Sequence, residues 1–248
     1  MAHCSMQTNV ADLESPLLRM GSVAFIAGVV IILVSTSFHA TSADLMDNPV
    51  AFAVYAQSDA WIAAHIGEFA GVMLVFAGGF IALFRLLVQS EYGTTSALAW
   101  LGLVAAIITA SSFAILQAVD GIALKRAVDS WYSAPPDSEE KAIAFRLAEG
   151  VRWIEIGINS IFRILQGTVA IIYGVAITKS ALLSRWIGGI GVFAGVATII
   201  VGLTVAYVGF SPVLGFFGLI PTVSWAAWLA TLGVFMWRKT MAKKIVSR

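Results

Sequence analysis

Residues 151–178 read VRWIEIGINSIFRILQGTVAIIYGVAIT. Two features of this run decide the fold class. It is long and apolar enough to cross about 30 Å of hydrocarbon, which takes roughly 20 residues of helix. It also carries Arg152, Glu155, Asn159, Arg163 and Gln166 at steps of 3, 4, 4 and 3. That spacing places five polar groups on one helical face. Ile154, Ile158, Phe162, Leu165 and Val169 form the rest of the surface. A stripe so narrow is expected to point into a bundle, with apolar side chains toward lipid or neighbouring helices.

Working outward, five further runs have the same length and character. They cover Met20–Phe38, Trp61–Phe84, Ala97–Val119, Trp186–Tyr207 and Val213–Trp237. The chain of 248 residues is 59% hydrophobic and only 12% charged, with a mean hydropathy of +0.90. A soluble domain usually carries about 25% charge. So few charges cannot cover a water-facing surface. The fold expected is all-α, a single domain of six membrane-spanning helices in contact with the lipid bilayer, multi-pass in the cell membrane. A soluble enzyme is excluded. Net charge is +1, with no basic stripe and no phosphate-binding glycine loop, so nucleic acid is not an expected partner.

Asp12 and Glu14 precede the first run where a cleaved leader would carry basic residues, so that run is read as a span. The small residues Ser42-Ala43 leave cleavage as the alternative. Lys and Arg set the orientation. Arg19, Arg85, Lys179, Arg185, Arg238, Lys239, Lys243, Lys244 and Arg248 fall on one side; Lys125, Arg126, Lys141 and Arg146 share one loop on the other. Both termini are therefore expected in the cytoplasm, as a tail at 1–18 and a basic tail at 238–248. Trp61, Trp131 and Trp153 are expected to mark the outer interface, and Trp186 and Trp237 the inner one. The single cysteine, Cys4, rules out an internal disulfide, and the end that carries it is expected to fray.

Two outer segments stand out. Residues 50–57 suggest a helical turn lying on the membrane. The segment 120–150 reads as an outer helical loop: the third helix continues to about Trp131, Pro135-Pro136 stops it, and Asp137 with Glu140 suggests a capping box. The fourth helix is then expected to run unbroken to Lys179 and to extend well outside the membrane.

Ionisable groups within spans are costly and usually face a bundle interior or wet cavity. His65 and Glu68 open the second helix, three apart. Gln117 and Asp120 close the third, and Ser35 and His39 the first. Glu68 lies about 25 Å of helix from Arg85, and Arg163 about 24 Å from Lys179. The two are expected at one depth, facing each other, with His65, Asp120, Glu155, Arg152 and His39 around them. Asp120 and Glu155 are both candidate partners for Arg152. The expected result is an outward-facing polar pocket among the first four helices.

Three readings of that pocket differ in their chemistry. In the first, Arg152 and Arg163 hold a small anionic ligand, a lipid or an ion; Glu68, Glu155, Asp120, Asn159, Gln117 and Gln166 orient it, and His65 responds to protons. In the second, His39, His65, Glu68, Asp120 and Glu155 hold a metal, or two histidines clamp a haem, in an oxidoreductase. In the third, the charges form a buried ion-pair network with a structural role. The last two spans carry no charge between Trp186 and Trp237. Gly188, Gly191 and Gly195 suit close helix contact there, with a homo-oligomer as the expected use. Pro221 is expected to kink or shorten the last helix.

The stretches His65-Ile-Gly-Glu68-Phe, Leu116-Gln-Ala-Val-Asp120-Gly and Glu149-Gly-Val-Arg152-Trp-Ile-Glu155 resemble an uncharacterised bacterial family of six-helix integral membrane proteins. The resemblance extends over most of the chain. It implies the fold and no activity.

Overall fold

A computed structural model describes residues 2–40, 44–90, 93–211, 214 and 217–246. All regular structure among them is helical. We label the helices α1 (Ala2–Ser37), α2 (Asn48–Ala56), α3 (Trp61–Gln89), α4 (Thr94–Ser133), α5 (Glu139–Lys179), α6 (Arg185–Val208) and α7 (Leu219–Val246). Six of them are long and apolar enough to cross a membrane; α2 is the exception. The protein is thus a multi-pass helical membrane protein. The Ser42-Ala43 step and Val213, where the last span was expected to begin, lie outside the described residues.

The α4–α5 hairpin defines one end of the bundle, here the hairpin end. At about 1.5 Å per residue, the 41 residues of α5 span roughly 60 Å, twice the thickness of hydrocarbon. Its first turns pack against the last turns of α4. The α5 start differs in detail from the capping box expected at Asp137. Ser138 is the N-cap, its hydroxyl accepting from the Lys141 amide at 3.1 Å. Asp137 instead turns the chain in the left-handed region, at φ 56°. The amino-terminal segment also differs from a frayed tail: α1 is helical from Ala2 and includes Pro16.

The segment at 50–57 is helical to Ala56 and packs one face into the protein. Asp47 caps α2 through the Val50 amide, and Pro49 occupies its first turn, where a missing N–H costs nothing. Phe52 and Tyr55 are fully buried against Trp61, Leu124, Val128 and Ala148. Helix α2 is therefore a plug seated on the hairpin end. Trp61, expected at an interface, is 0% exposed and forms the floor beneath that plug. Trp153 and Trp186, by contrast, are 59% and 83% exposed on the bundle's outer surface.

The main core lies toward the opposite end. Phe80 stacks on Tyr173 at 5.0 Å and meets Phe25 edge-on at 5.3 Å. Helix association in lipid rests on such packing and on close backbone approach. The glycines of α6 serve that purpose inside the chain, which corrects their expected use as an oligomer face. Gly195 faces the Gly167 carbonyl of α5, Gly188 faces Gly174, and Gly191 faces the Trp228 ring of α7. Pro221 falls in the first turn of α7, so it begins that helix and makes no kink in it.

Candidate functional site

Between the core and the α2 plug, the polar stripe of α5 turns into a cavity of about 410 Å³. Thr36 of α1, His39 just beyond it, Glu68 of α3, Gln117 and Asp120 of α4, and the α5 stripe all line it. The remaining walls are apolar, among them Val29, Leu33, Val72, Phe113, Phe162 and Leu229. The last two spans also contribute: Thr198 of α6 and Pro221, Thr222 and Trp225 of α7 line the cavity. It is thus not confined to the first four helices. Leu33 is 49% exposed, and Thr36 and Thr222 are also exposed, so the opening lies between α1 and α7.

The two arginines of the stripe are in different states. Arg152 is buried, and its guanidinium is committed to the protein. Nη1 donates to Glu155 Oε2 at 2.6 Å, and Nη2 to the Leu45 carbonyl at 3.1 Å and the Tyr55 hydroxyl at 3.2 Å. Phe210 and Tyr55 cover its faces. Glu155, and not Asp120, is therefore its ion-pair partner. Burial pushes the Tyr55 phenol up to about 12, against the opposing pull of the Arg152 charge.

Arg163, half-buried, donates through Nε to Asn159 Oδ1 at 2.7 Å. Among the described residues no carboxylate forms an ion pair with it. Glu68 lines the same cavity as Arg163 and, among the described residues, makes no ion pair with it. It accepts from Thr36 Oγ1 at 2.8 Å and Gln117 Nε2 at 3.4 Å. Gln166 lines the wall near Arg163. Four buried polar atoms of the lining residues lack hydrogen-bond partners among the described residues: Gln117 Oε1, Asp120 Oδ1, Arg152 Nε and Trp225 Nε1. Trp225 gave no sign in the sequence, because an indole in an apolar span looks like core.

At the hairpin end of the cavity, His39, His65 and Asp120 converge. His39 Nε2 and His65 Nε2 are 3.2 Å apart, and His65 Nε2 is 3.2 Å from Asp120 Oδ2. Trp61 contacts both imidazole rings, each at 4.7 Å between centroids, and its Nε1 donates to the Asp120 carbonyl at 3.1 Å. Two local features make this approach possible. Asp120 sits in a π-helical segment, Ala118–Leu124, whose wider turn re-aims side chains and recurs at functional sites. Gly121 lets α3 come close, since a Cβ there would lie 2.5 Å from the His65 Cβ.

This trio corrects the five-residue metal set. Glu68 and Glu155 have other partners, as above, and among the described residues only His39, His65 and Asp120 bring ligand atoms within 4.8 Å of one another. A haem clamped by both histidines does not fit. Axial nitrogens lie about 4 Å apart across the iron, by metal–nitrogen bonds of roughly 2 Å, with the macrocycle between them. The 3.2 Å gap leaves no room for that plane.

No curated protein and no solved structure matches the chain. Residues 20–233 match the family model described as a domain of unknown function, DUF4386. That match covers every cavity residue named above and at least part of each of the six long helices, and the chain belongs to this family.

Proposed function

We propose that the protein binds a small anionic ligand, the headgroup of a lipid or a free anion, in the cavity beside α5, as a multi-pass protein of the cell membrane. The observation that carries this reading is Arg163. It is a permanent cation inside a mostly apolar cavity, and among the described residues its only hydrogen bond is to a neutral amide. A buried or half-buried charge normally finds an opposite one. Arg152, by contrast, is held by Glu155, the Leu45 carbonyl and Tyr55 and belongs to the scaffold. Arg163 has free Nη donors suited to a carboxylate or phosphate. Asn159, Gln166 and the orphan Gln117 Oε1 and Trp225 Nε1 supply orientation. The apolar walls and the opening between α1 and α7 suit a ligand with a hydrocarbon part.

Lipid extraction of purified wild-type protein and Arg163→Gln, followed by mass spectrometry, tests the reading. The wild type is expected to carry about one anionic molecule per chain above the detergent background. The variant should carry at least tenfold less at an unchanged melting temperature. Equal retention, or a loss of stability without a change in bound molecules, contradicts it; the second result supports a purely structural role for the stripe.

A further inference from the structure

We infer that His39, His65 and Asp120 form a binding site for one divalent transition metal ion of the zinc class, separate from Arg163. The argument starts from the far sides of the two rings. His65 Nδ1 is 2.7 Å from the Trp61 carbonyl, and His39 Nδ1 is 3.1 Å from the Ala40 carbonyl. A carbonyl oxygen only accepts, so each Nδ1 must carry the proton. In the neutral rings both Nε2 atoms are then bare lone pairs. They point at each other across 3.2 Å, and the carboxylate Oδ2 stands 3.2 Å from one of them.

Three electron-pair donors facing one another repel unless a cation lies between them. The spacing matches such a cation. With bonds of about 2.0–2.1 Å, the edge of a zinc tetrahedron is about 3.3 Å. Backbone carbonyls that take the second N–H of each imidazole are the usual outer support of metal-bound histidine, fixing tautomer and ring orientation. Asp120 adds an independent sign: its other oxygen, Oδ1, is buried without a hydrogen-bond partner. A carboxylate so placed is costly without a nearby positive charge. His39 and Asp120 line the cavity, so the fourth coordination position opens into it. Three protein ligands with an open fourth position is the arrangement of a metal that meets a substrate or water.

The alternative cation is a proton shared by His65 with Asp120 and His39, and one experiment separates the two. Untagged, full-length protein in nanodiscs is stripped with a chelator and titrated with Co²⁺ and then Zn²⁺. The expected result is one equivalent per chain, with the intense visible d–d bands of a tetrahedral cobalt site, displaced by Zn²⁺. His39→Gln should lose these bands and weaken binding at least 100-fold. His39 is half-buried at the end of α1, so this variant is expected to fold. His3→Gln/Cys4→Ser, which removes the other soft ligands, should bind like the wild type. Absence of a stoichiometric site in the wild type, or undiminished binding by His39→Gln, overturns the inference. Because Arg163 is untouched, the lipid-extraction result stands or falls independently.

Discussion

Arg152 and Arg163 lie on one helix face eleven residues apart in the sequence, yet their surroundings give them opposite roles. Arg152 has a carboxylate, a carbonyl and a phenol; Arg163 has an amide. The phenol is the more readily observed of these partners. Tyr55 lies in α2, outside the spans, and burial holds its pKa near 12 against an ordinary value of 10. The unfolded chain therefore loses the proton first. The contribution of the neutral phenol is complete below pH 10 and is lost as the pH climbs from 10 toward 12. Unfolding midpoints measured across that window should fall in the wild type and fall less in Tyr55→Phe. Identical profiles would show that Tyr55 is not held neutral against Arg152. The stripe itself was legible in the sequence, because steps of three and four fix a face. The partner of each charge was not. Whether Arg152 meets Asp120 or Glu155 depends on side-chain direction, which spacing does not determine.

Helices α3 and α4 depart from regular geometry where they matter most. Leu74–Gly79 and Ala118–Leu124 are π-helical, and no spacing rule for a regular helix marks the wider turn in either run. The second segment turns Asp120 away from Arg152 and toward His65. The sequence pattern, which assumes a constant turn, could not anticipate that. Trp61 shows the same limit: a tryptophan at a span end reads as an interface anchor, and only the arrival of α2 above it makes it core. Glycine was read more nearly correctly for α6. Its close contacts exist, though with α5 and α7 of the same chain. Gly167→Val places side-chain atoms against the Gly195 carbonyl and Ile199. Overpacking of this kind costs about 1–3 kcal/mol. Denaturation in mild detergent should show a loss in that range, with the oligomeric state unchanged. A loss of oligomer without a loss of stability would return these glycines to an intermolecular face.

For the molecule as a whole, six apolar helices followed from composition and run length alone. The plug α2 and the long α5 make the hairpin end the thicker one, and the cavity lies just beneath it. The distribution of Lys and Arg, nine on the opposite side against four here, predicts by the positive-inside rule that the hairpin end lies outside the cytoplasm. Cys4, the only thiol, reports on this directly. A membrane-impermeant maleimide should label it in permeabilised cells and not in intact ones. Labelling of intact cells would invert the arrangement and turn the cavity toward the cytoplasm.

The whole account depends on a hollow beside Arg163 that is filled by something other than protein. A density map of the protein in a lipid nanodisc measures this most directly. Non-protein density against the Arg163 guanidinium, extending toward the gap between α1 and α7, is the predicted result. A closed cavity with Arg163 paired to Glu68 would contradict it and leave a bundle held by its own charges.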